Sequence, residues 1–172
     1  VERPFAEQTL TQEVITAVTY EECTFTNCNF SETQFKRCTF RDCHFQDCDL
    51  SLIDVDYSSF QRCKFDQCTL IGVNWAKVSR IERLEFNTCN LSYATFMELD
   101  LHKAIITDCL AKEATFAETN LTEANCTHTD FSDSRFIRTN FTKADFRGAR
   151  NYAIAAEQNT LKKTRFSLPE AI

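Results

Sequence analysis

The sequence predicts an all-β solenoid in which short strands wind into a regular coil, with a short helical or capping module at the C-terminal end. Three observations support this fold class: large apolar residues recur every five positions, small residues recur with the same period, and Gly and Pro are scarce. The chain of 172 residues contains two Gly and two Pro, against a usual combined share of about 12%. Ordinary β domains with Gly- and Pro-rich turns are therefore disfavoured, and the length fits one domain.

The large apolar residues form one column of the repeat. They occupy the centre of 25 of 27 consecutive five-residue units, from Ile15 to Phe146, and 14 of the 16 Phe residues are centres. The two exceptions are Ala111 and Cys126. One step of six residues, from Trp75 to Ile81, interrupts the series. A period of five matches neither an α-helix nor a simple strand, so it favours a coil whose sides are five residues long.

A second column lies two residues before each centre. Ala, Cys, Ser, Thr or Val fills it in 23 of the 27 units. The exceptions are Glu13, Ile53, Leu84 and Leu99. One large and one small residue then point inward from each side, and successive coils stack like parallel strands about 4.8 Å apart. Each coil buries its core only against its neighbours.

Several triplets match the consensus A-(N/D)-L-x-x, among them Ala114-Thr115-Phe116, Ala124-Asn125-Cys126 and Ala144-Asp145-Phe146. Through them the chain resembles the pentapeptide-repeat family. The resemblance implies a right-handed quadrilateral β-helix with four repeats per coil, so that residues 20 apart stack. We expect an N-terminal cap or partial repeats over 1–12 and a β-helix over 13–148 with a one-residue phase break near 76–80. A C-terminal cap and dimerisation module is expected over 149–172.

Nine of the ten cysteines lie in the small column, and Cys126 is a centre. The favoured interpretation is that Cys acts here as a small buried hydrophobe. Metal binding and disulfides are the alternatives. The C-x₄-C spacing occurs in metal sites, and stacking of the coils would bring Cys28, Cys48 and Cys68 toward disulfide range. However, the C-x₄-C spacing is the repeat period itself, no His pair completes a metal site, and cytoplasmic thiols stay reduced. We therefore predict no metal and no cofactor.

The charge of the chain narrows the possible functions. The net charge is −6, with −6 over residues 1–75 and +3 over residues 143–172. An acidic protein is a poor direct ligand of DNA or RNA, and no apolar run approaches the length of a membrane span. The three His residues occupy outward positions without a catalytic arrangement. We expect a cytoplasmic, non-enzymatic protein whose N-terminus, at Val1 rather than Met, is processed or trimmed.

Two further features refine the family resemblance. Gly72-Val73-Asn74 precedes the phase break, and the tail reads RFSLPEA. In these features the chain is similar to the immunity and resistance branch of the family, which includes albicidin-resistance, microcin-immunity and Qnr proteins. The resemblance implies an acidic, DNA-mimicking homodimer that binds DNA gyrase, and in some cases topoisomerase IV, and counters drugs or toxins that act on them. Only one extra residue stands here in place of the two long loops of typical Qnr proteins.

Two groups of residues are candidates for binding. The candidate partner-binding residues are Asp42, Asp47, Asp49, Asp54, Asp56, Asp66, Lys77, Val78 and Ser79. The candidate dimer-interface residues are Phe166, Leu168, Pro169 and Ile172, since a solenoid end is an exposed edge that must be covered. Two alternatives stay open: the carboxylates form an ordinary solvated surface and the tail is only a cap, or the protein is a scaffold for another protein partner.

Overall fold

A computed structural model describes residues 3–168, which wind into a β-helix of about eight coils. Short parallel strands lie at the sides of the coils. They are β1 (Arg3–Ala6), β2 (Val14–Thr16), β3 (Thr19–Glu21), β4 (Cys23–Thr26), β5 (Gln34–Lys36), β6 (Thr39–Arg41), β7 (His44–Gln46), β8 (Ser59–Gln61), β9 (Lys64–Asp66), β10 (Arg80–Glu82), β11 (Glu85–Asn87), β12 (Ile105–Thr107), β13 (Asp145–Phe146) and β14 (Arg165–Phe166). Two 3₁₀ helices span Trp75–Lys77 and Ala156–Gln158.

The strands align into the sides of a quadrilateral, which confirms the predicted fold class. Phe5 pairs with Phe25, Phe25 with Phe45, and Phe45 with Phe65, so one coil takes 20 residues. We call this side face 1, which holds β1, β4, β7, β9 and β11 to β14, and number the following sides faces 2, 3 and 4 along the chain. Face 2 is held by isolated bridges, and face 3 by β2, β5 and bridges. Face 4 is held by β3, β6, β8 and β10 and, further along the chain, by bridges.

The corners between faces explain why so little Gly is needed. Twenty-eight of the described non-Gly residues have a positive φ, at five-residue spacing along most of the chain. Such residues normally adopt this conformation at a cost, and it persists where the surroundings fix it. Here the backbone amides of the corner residues donate hydrogen bonds to carbonyl oxygens of the next coil. Glu22 N donates to Arg41 O at 3.0 Å, and Asp42 N donates to Gln61 O at 2.9 Å.

The interior is a set of side-chain stacks that run along the axis. The rings of Phe25 and Phe45 lie 4.7 Å apart, those of Phe45 and Phe65 4.9 Å, and those of Phe65 and Phe86 5.0 Å, all nearly parallel. These four side chains are buried. Aromatic pairs of this kind add about 0.5–1.5 kcal/mol each beyond the burial of apolar area.

The register changes once near the middle of the chain. Ser59 pairs with Arg80, a spacing of 21 residues, whereas Glu85 pairs with Ile105 at the regular spacing of 20. The extra residue follows the 3₁₀ helix Trp75–Lys77, and Val78 N donates to Trp75 O at 3.2 Å. The columns on either side of the insertion therefore stay aligned.

At both ends of the described chain, the terminal strand is hydrogen-bonded to a strand of the neighbouring coil. β1 pairs with β4 at the N-terminal end, and β14 pairs with β13 at the C-terminal end. Phe166 consequently lies above Phe146. The C-terminal module expected over 149–172 contains the 3₁₀ helix Ala156–Gln158 and β14, and its residues 169–172 lie outside the described residues.

Candidate partner-binding surface

The outward side chains give the four faces different charges. Faces 1 and 2 carry the acidic excess. Their outward carboxylates are Glu7, Asp47, Asp66, Glu85, Asp108 and Asp145 on face 1, and Glu32, Asp49, Glu113, Asp130 and Asp133 on face 2. Their exposed bases are Arg3, Lys64, Lys112, Arg147, Arg150 and Arg165. Complementary potential toward a basic partner therefore lies on these two faces.

Face 4 has the opposite character. Its outward bases are Arg41, Arg62, Arg80, Arg83, Lys103, Lys143, Lys162 and Lys163, and its outward acids are Glu21, Glu22, Asp42, Glu82, Asp100 and Glu123. Several form ion pairs between coils, such as Arg41 with Glu21 at 2.9 Å and Lys143 with Glu123 at 3.4 Å. Among the described residues, face 3 carries six acids and five bases. The net charge of the rod is thus unevenly distributed around its axis.

The six aspartates predicted to bind a partner do not share one face. Asp47 and Asp66 lie on face 1, Asp49 on face 2, Asp54 and Asp56 on face 3, and Asp42 on face 4. This distribution follows from the register, because residues five apart along the chain point from successive sides. The structure brings Asp47 and Asp49 to one corner and Asp54 and Asp56 to one side of face 3, beside Lys77.

Four of these carboxylates are paired with basic neighbours, one of them Asp66, whose Oδ2 lies 3.2 Å from Lys64 Nζ. Arg62 contacts both oxygens of Asp42, at 2.7 and 2.8 Å, and holds the pKa of that carboxyl below its ordinary value. Lys77 Nζ lies 3.3 Å from Asp54 Oδ1 and 3.9 Å from Asp56 Oδ1. A partner would compete with these bonds.

Asp66 and Asp49 serve the coil itself. Burial of the Asp66 carboxyl opposes its ionisation, but hydrogen bonds from His44 at 2.6 Å and Asn87 at 3.0 Å outweigh that effect and lower its pKa. Asp49 Oδ1 accepts a hydrogen bond from Ser51 N at 2.9 Å. Asp47 forms no ion pair with any residue between 3 and 168, so its charge is the most available of the six.

The Asp49 bond belongs to a ladder of local turns that sequence reasoning missed. Asn29, Asn90 and Asp130 accept the same bond from the amide two residues later, at 3.0 Å in each case. Asp and Asn favour such turns because their short side chains reach the backbone two residues on. The sequence signal was present, since each precedes a centre and is followed two positions later by Ser.

The three candidate residues at the phase break, Lys77, Val78 and Ser79, each make a different kind of contact. Lys77 faces the carboxylates of face 3, as described above. Val78 is half-buried and packs against the core. Ser79 Oγ donates to Ser58 O at 3.1 Å. Side chains around the break also line a groove of about 470 Å³.

The C-terminal end exposes apolar side chains. Phe166 is 36% exposed, and its ring lies 5.7 Å from Tyr152 and 6.0 Å from Phe146. Leu168 is 90% exposed. Pro169 and Ile172 lie outside the described residues.

All ten cysteines are buried free thiols. No cluster of three or more His, Cys, Asp or Glu side chains suited to a metal ion occurs in the described part of the chain. Within residues 3–168 there is also no helix of the length and hydropathy that a membrane span requires.

These features define a repeat-solenoid protein that presents ladders of polar and charged side chains on four flat faces. Family models agree: a model of the pentapeptide repeat region matches residues 18–96, and a model of eight copies of the pentapeptide repeat matches residues 112–150. Together they cover more than half of the sequence. The chain belongs to the pentapeptide-repeat family.

Solved structures share this fold at low sequence identity. A trypsin-treated variant of QnrB1, a plasmid-mediated fluoroquinolone resistance protein, is 20% identical with a TM-score of 0.67, over 95% of this chain and 92% of that one. HetL, a pentapeptide repeat protein involved in heterocyst differentiation regulation in the cyanobacterium Nostoc sp. strain PCC 7120, is 14% identical with a TM-score of 0.51, over 98% and 92%. No curated protein matches the sequence.

Proposed function

We propose that this protein binds DNA gyrase in the cytoplasm, with topoisomerase IV as a second target, and confers resistance or self-immunity to drugs or toxins that act on these enzymes. It acts by binding and not by catalysis. The observation that carries the proposal is the acidic excess on faces 1 and 2 of the rod. The resemblance of the Gly72 segment and the RFSLPEA tail to the resistance and immunity branch supports the choice of partner.

The acidic faces suit a protein surface that normally receives DNA. Duplex DNA carries about one charge per 1.7 Å of its axis, whereas coils about 4.8 Å apart present far fewer carboxylates. The rod therefore imitates the sign of the DNA charge and not its density. Such complementarity acts mainly on the rate of encounter and on the choice of partner. The corner between faces 1 and 2, with Asp47 and Asp108, is the contact that we propose.

Gyrase supercoiling and cleavage assays test the proposal, with and without ciprofloxacin and with and without albicidin. Rescue of supercoiling in the presence of drug is the outcome expected of a protective protein. Inhibition of supercoiling without drug would also establish gyrase as the partner, as a DNA-mimicking inhibitor. No binding and no effect in any arm would overturn the proposal.

A matched pair of variants tests the contact surface. Asp47→Lys reverses a charge on face 1, and Glu21→Lys makes the same change on face 4. Lys is tolerated at a corner, since Lys103 has a φ of 58° there. We expect Asp47→Lys to weaken the effect on gyrase at least about tenfold, a change of about 1.4 kcal/mol, and Glu21→Lys to leave it nearly unchanged. Equal effects of the two variants would exclude this corner as the contact.

A scaffold for another protein is the second candidate function. It is favoured by the internal ion pairs of Asp42, Asp54 and Asp66, which make those carboxylates part of the coil surface. Immobilised protein that retains a partner other than a topoisomerase, together with inactivity in the gyrase assays, would support this candidate.

A further inference from the structure

The hydrogen-bond ladder of face 4 is interrupted between two adjacent coils. One coil further on, face 4 is closed by the bonds Leu101 N to Asn120 O at 2.8 Å, Lys103 N to Thr122 O at 2.9 Å and Asn120 N to Leu99 O at 2.9 Å. The equivalent bonds between residues 79–83 and 100–102 are absent from the described structure. β10 pairs only with β8 and is the edge of its sheet. The middle of the rod thus contains a strand with one free edge.

The extra residue at the phase break accounts for this opening. Face 3 stays closed by the bond from Trp75 N to Thr95 O at 2.9 Å, and face 1 by the pairing of Glu85 with Ile105. Only the segment between them, which contains Val78, is one residue longer than the segment above it. Its backbone cannot follow the shorter coil, and the two separate on face 4.

The side chains at the opening form a groove with one apolar wall and with polar and charged side chains around it. Val78, Ile81, Met97 and Leu99 supply the apolar wall of the space of about 470 Å³, a volume within the usual range of binding pockets. Glu98 and Asp100 lie at its rim.

The negative charges of Glu98 and Asp100 are not neutralised by basic side chains of residues 3–168. Glu98 forms no ion pair with any residue between 3 and 168. Arg80, the cation nearest in the lining, is engaged by Glu82 at 3.0 Å. Asp100 accepts neutral hydrogen bonds, from His102 N at 3.1 Å and Asn120 Nδ2 at 2.9 Å. The groove therefore favours a cationic ligand group.

We propose that this groove binds an extended segment of a partner protein that carries a large apolar side chain next to a Lys or Arg. Main-chain groups of the segment pair with the free edge of β10, as in other cases of strand addition. The apolar side chain enters between Val78 and Met97, and the basic side chain pairs with Glu98. The site lies apart from the acidic corner of faces 1 and 2, so the inference holds whether or not gyrase is the partner.

A display library of random 12-residue peptides, selected on the full-length chain, tests the proposal. We expect enriched peptides to contain an apolar residue beside Lys or Arg. Met97→Asp should weaken a synthetic peptide of the enriched sequence at least about tenfold. Ile137→Asp is the matched control, because Ile137 is similarly exposed on the same face two coils away. Melting curves establish that both variants remain folded.

A charge swap distinguishes specific binding of the peptide in this groove from nonspecific binding of peptides to the protein. Glu98→Lys should abolish binding of the basic peptide, and exchange of its Lys for Glu should restore binding to that variant. Selected peptides without an apolar and basic pair would overturn the proposal, as would equal effects of Met97→Asp and Ile137→Asp. Loss of peptide binding in Met97→Asp with an intact gyrase effect would separate this site from the proposed function.

Amide hydrogen exchange tests the free edge directly. The amides of Ile81 and Arg83 should exchange much faster than those of Leu101 and Lys103, and the peptide should slow them. If Ile81 and Arg83 exchange as slowly as Leu101 in the free protein, the edge is closed and the proposal fails.

Discussion

Individual residues of the small column do more than fill space. Cys48 Sγ donates to Phe25 O at 3.4 Å, 23 residues earlier, and Thr119 Oγ1 donates to Phe96 O at 2.7 Å across the same separation. Ser58 makes the equivalent bond to Phe35 O at 2.7 Å. Cys, Thr and Ser are interchangeable here because each is compact and donates to a carbonyl of the preceding coil. The interpretation of Cys as only a small hydrophobe missed this second property.

Asp145 should make stability depend on pH. Hydrogen bonds from Arg147 at 2.7 and 2.9 Å, with the charge of Arg165, hold its pKa below the ordinary value. A lowered folded-state pKa stabilises the protein above the unfolded value of about 3.9, and the stabilisation is lost as pH falls through the folded value. Asp145→Asn should therefore lower the free energy of unfolding at pH 7 by about 1–3 kcal/mol.

Urea unfolding at pH 7 and near pH 3 measures this effect. The difference between Asp145→Asn and the native chain should shrink at the lower pH. Asp133→Asn is the control, since Asp133 is exposed and has no ion pair among residues 3–168; it should change stability by less than about 0.5 kcal/mol. A difference that is independent of pH would contradict the role given to the Arg147 contact.

Single sides of the coil are too short to be stable alone. The strands are two to four residues long, so each depends on the strand above, the strand below and the ring stack beneath it. Phe45 illustrates this dependence, because its ring lies between those of Phe25 and Phe65 and its strand β7 lies between β4 and β9. One buried ring therefore supports three successive coils.

Phe45→Ala should destabilise the protein by about 3–5 kcal/mol, because it leaves a cavity within a continuous stack. Thermal and urea unfolding measure the change. Asp47→Ala, two residues away and outward, should stay within about 0.5 kcal/mol of the native chain. A neutral Phe45→Ala would mean that the inward column is assigned to the wrong residues.

The whole molecule is a rod of about eight coils, roughly 38 Å long at about 4.8 Å per coil, and its thiols lie inside it. Hydrogen bonding to the Cys109 thiol, together with burial, raises the pKa of Cys89 to about 12. Burial likewise raises the pKa of Cys126. A hydrogen bond with the Cys63 thiol lowers the pKa of Cys43 instead, so the protection of all ten thiols rests on their burial. None of the ten should react with a disulfide reagent at pH 8 in the folded protein, and all ten should react in denaturant. Rapid reaction of a thiol in the native state would show that a coil opens.

The exposed C-terminal end leads us to propose a homodimer of two rods. Leu168→Asp should shift the protein toward monomer in analytical ultracentrifugation without a change in melting temperature of the monomer. Leu52→Asp is the control, because Leu52 is 57% exposed on a corner far from the end. A sedimentation coefficient that is unaffected by Leu168→Asp would exclude this residue from the interface.

The period of five residues by itself determined the inward columns and a coil with five-residue sides, because only such a coil buries the large and small columns together. The stacking of residues 20 apart was implied by the family resemblance, and the strand register confirms it. The scarcity of Gly was consistent with this fold, but only the ladder of corner amides shows how ordinary residues hold positive φ. The sequence also located the one-residue break near Val78. Its consequence, the free edge of β10, depends on which coils remain bonded on faces 1 and 3.

For the candidate partner-binding residues, too, the sequence predicted one part and the tertiary structure decided the rest. The acidic composition was visible in the sequence, but the register alone decided that the six aspartates point from four faces and that Asp42, Asp54 and Asp66 meet basic side chains from neighbouring coils. Those partners are up to 23 residues away in sequence, as Lys77 is from Asp54. A one-dimensional pattern fixes which residues face outward, whereas the charge that a partner meets depends on contacts between coils, which exist only once the chain is wound.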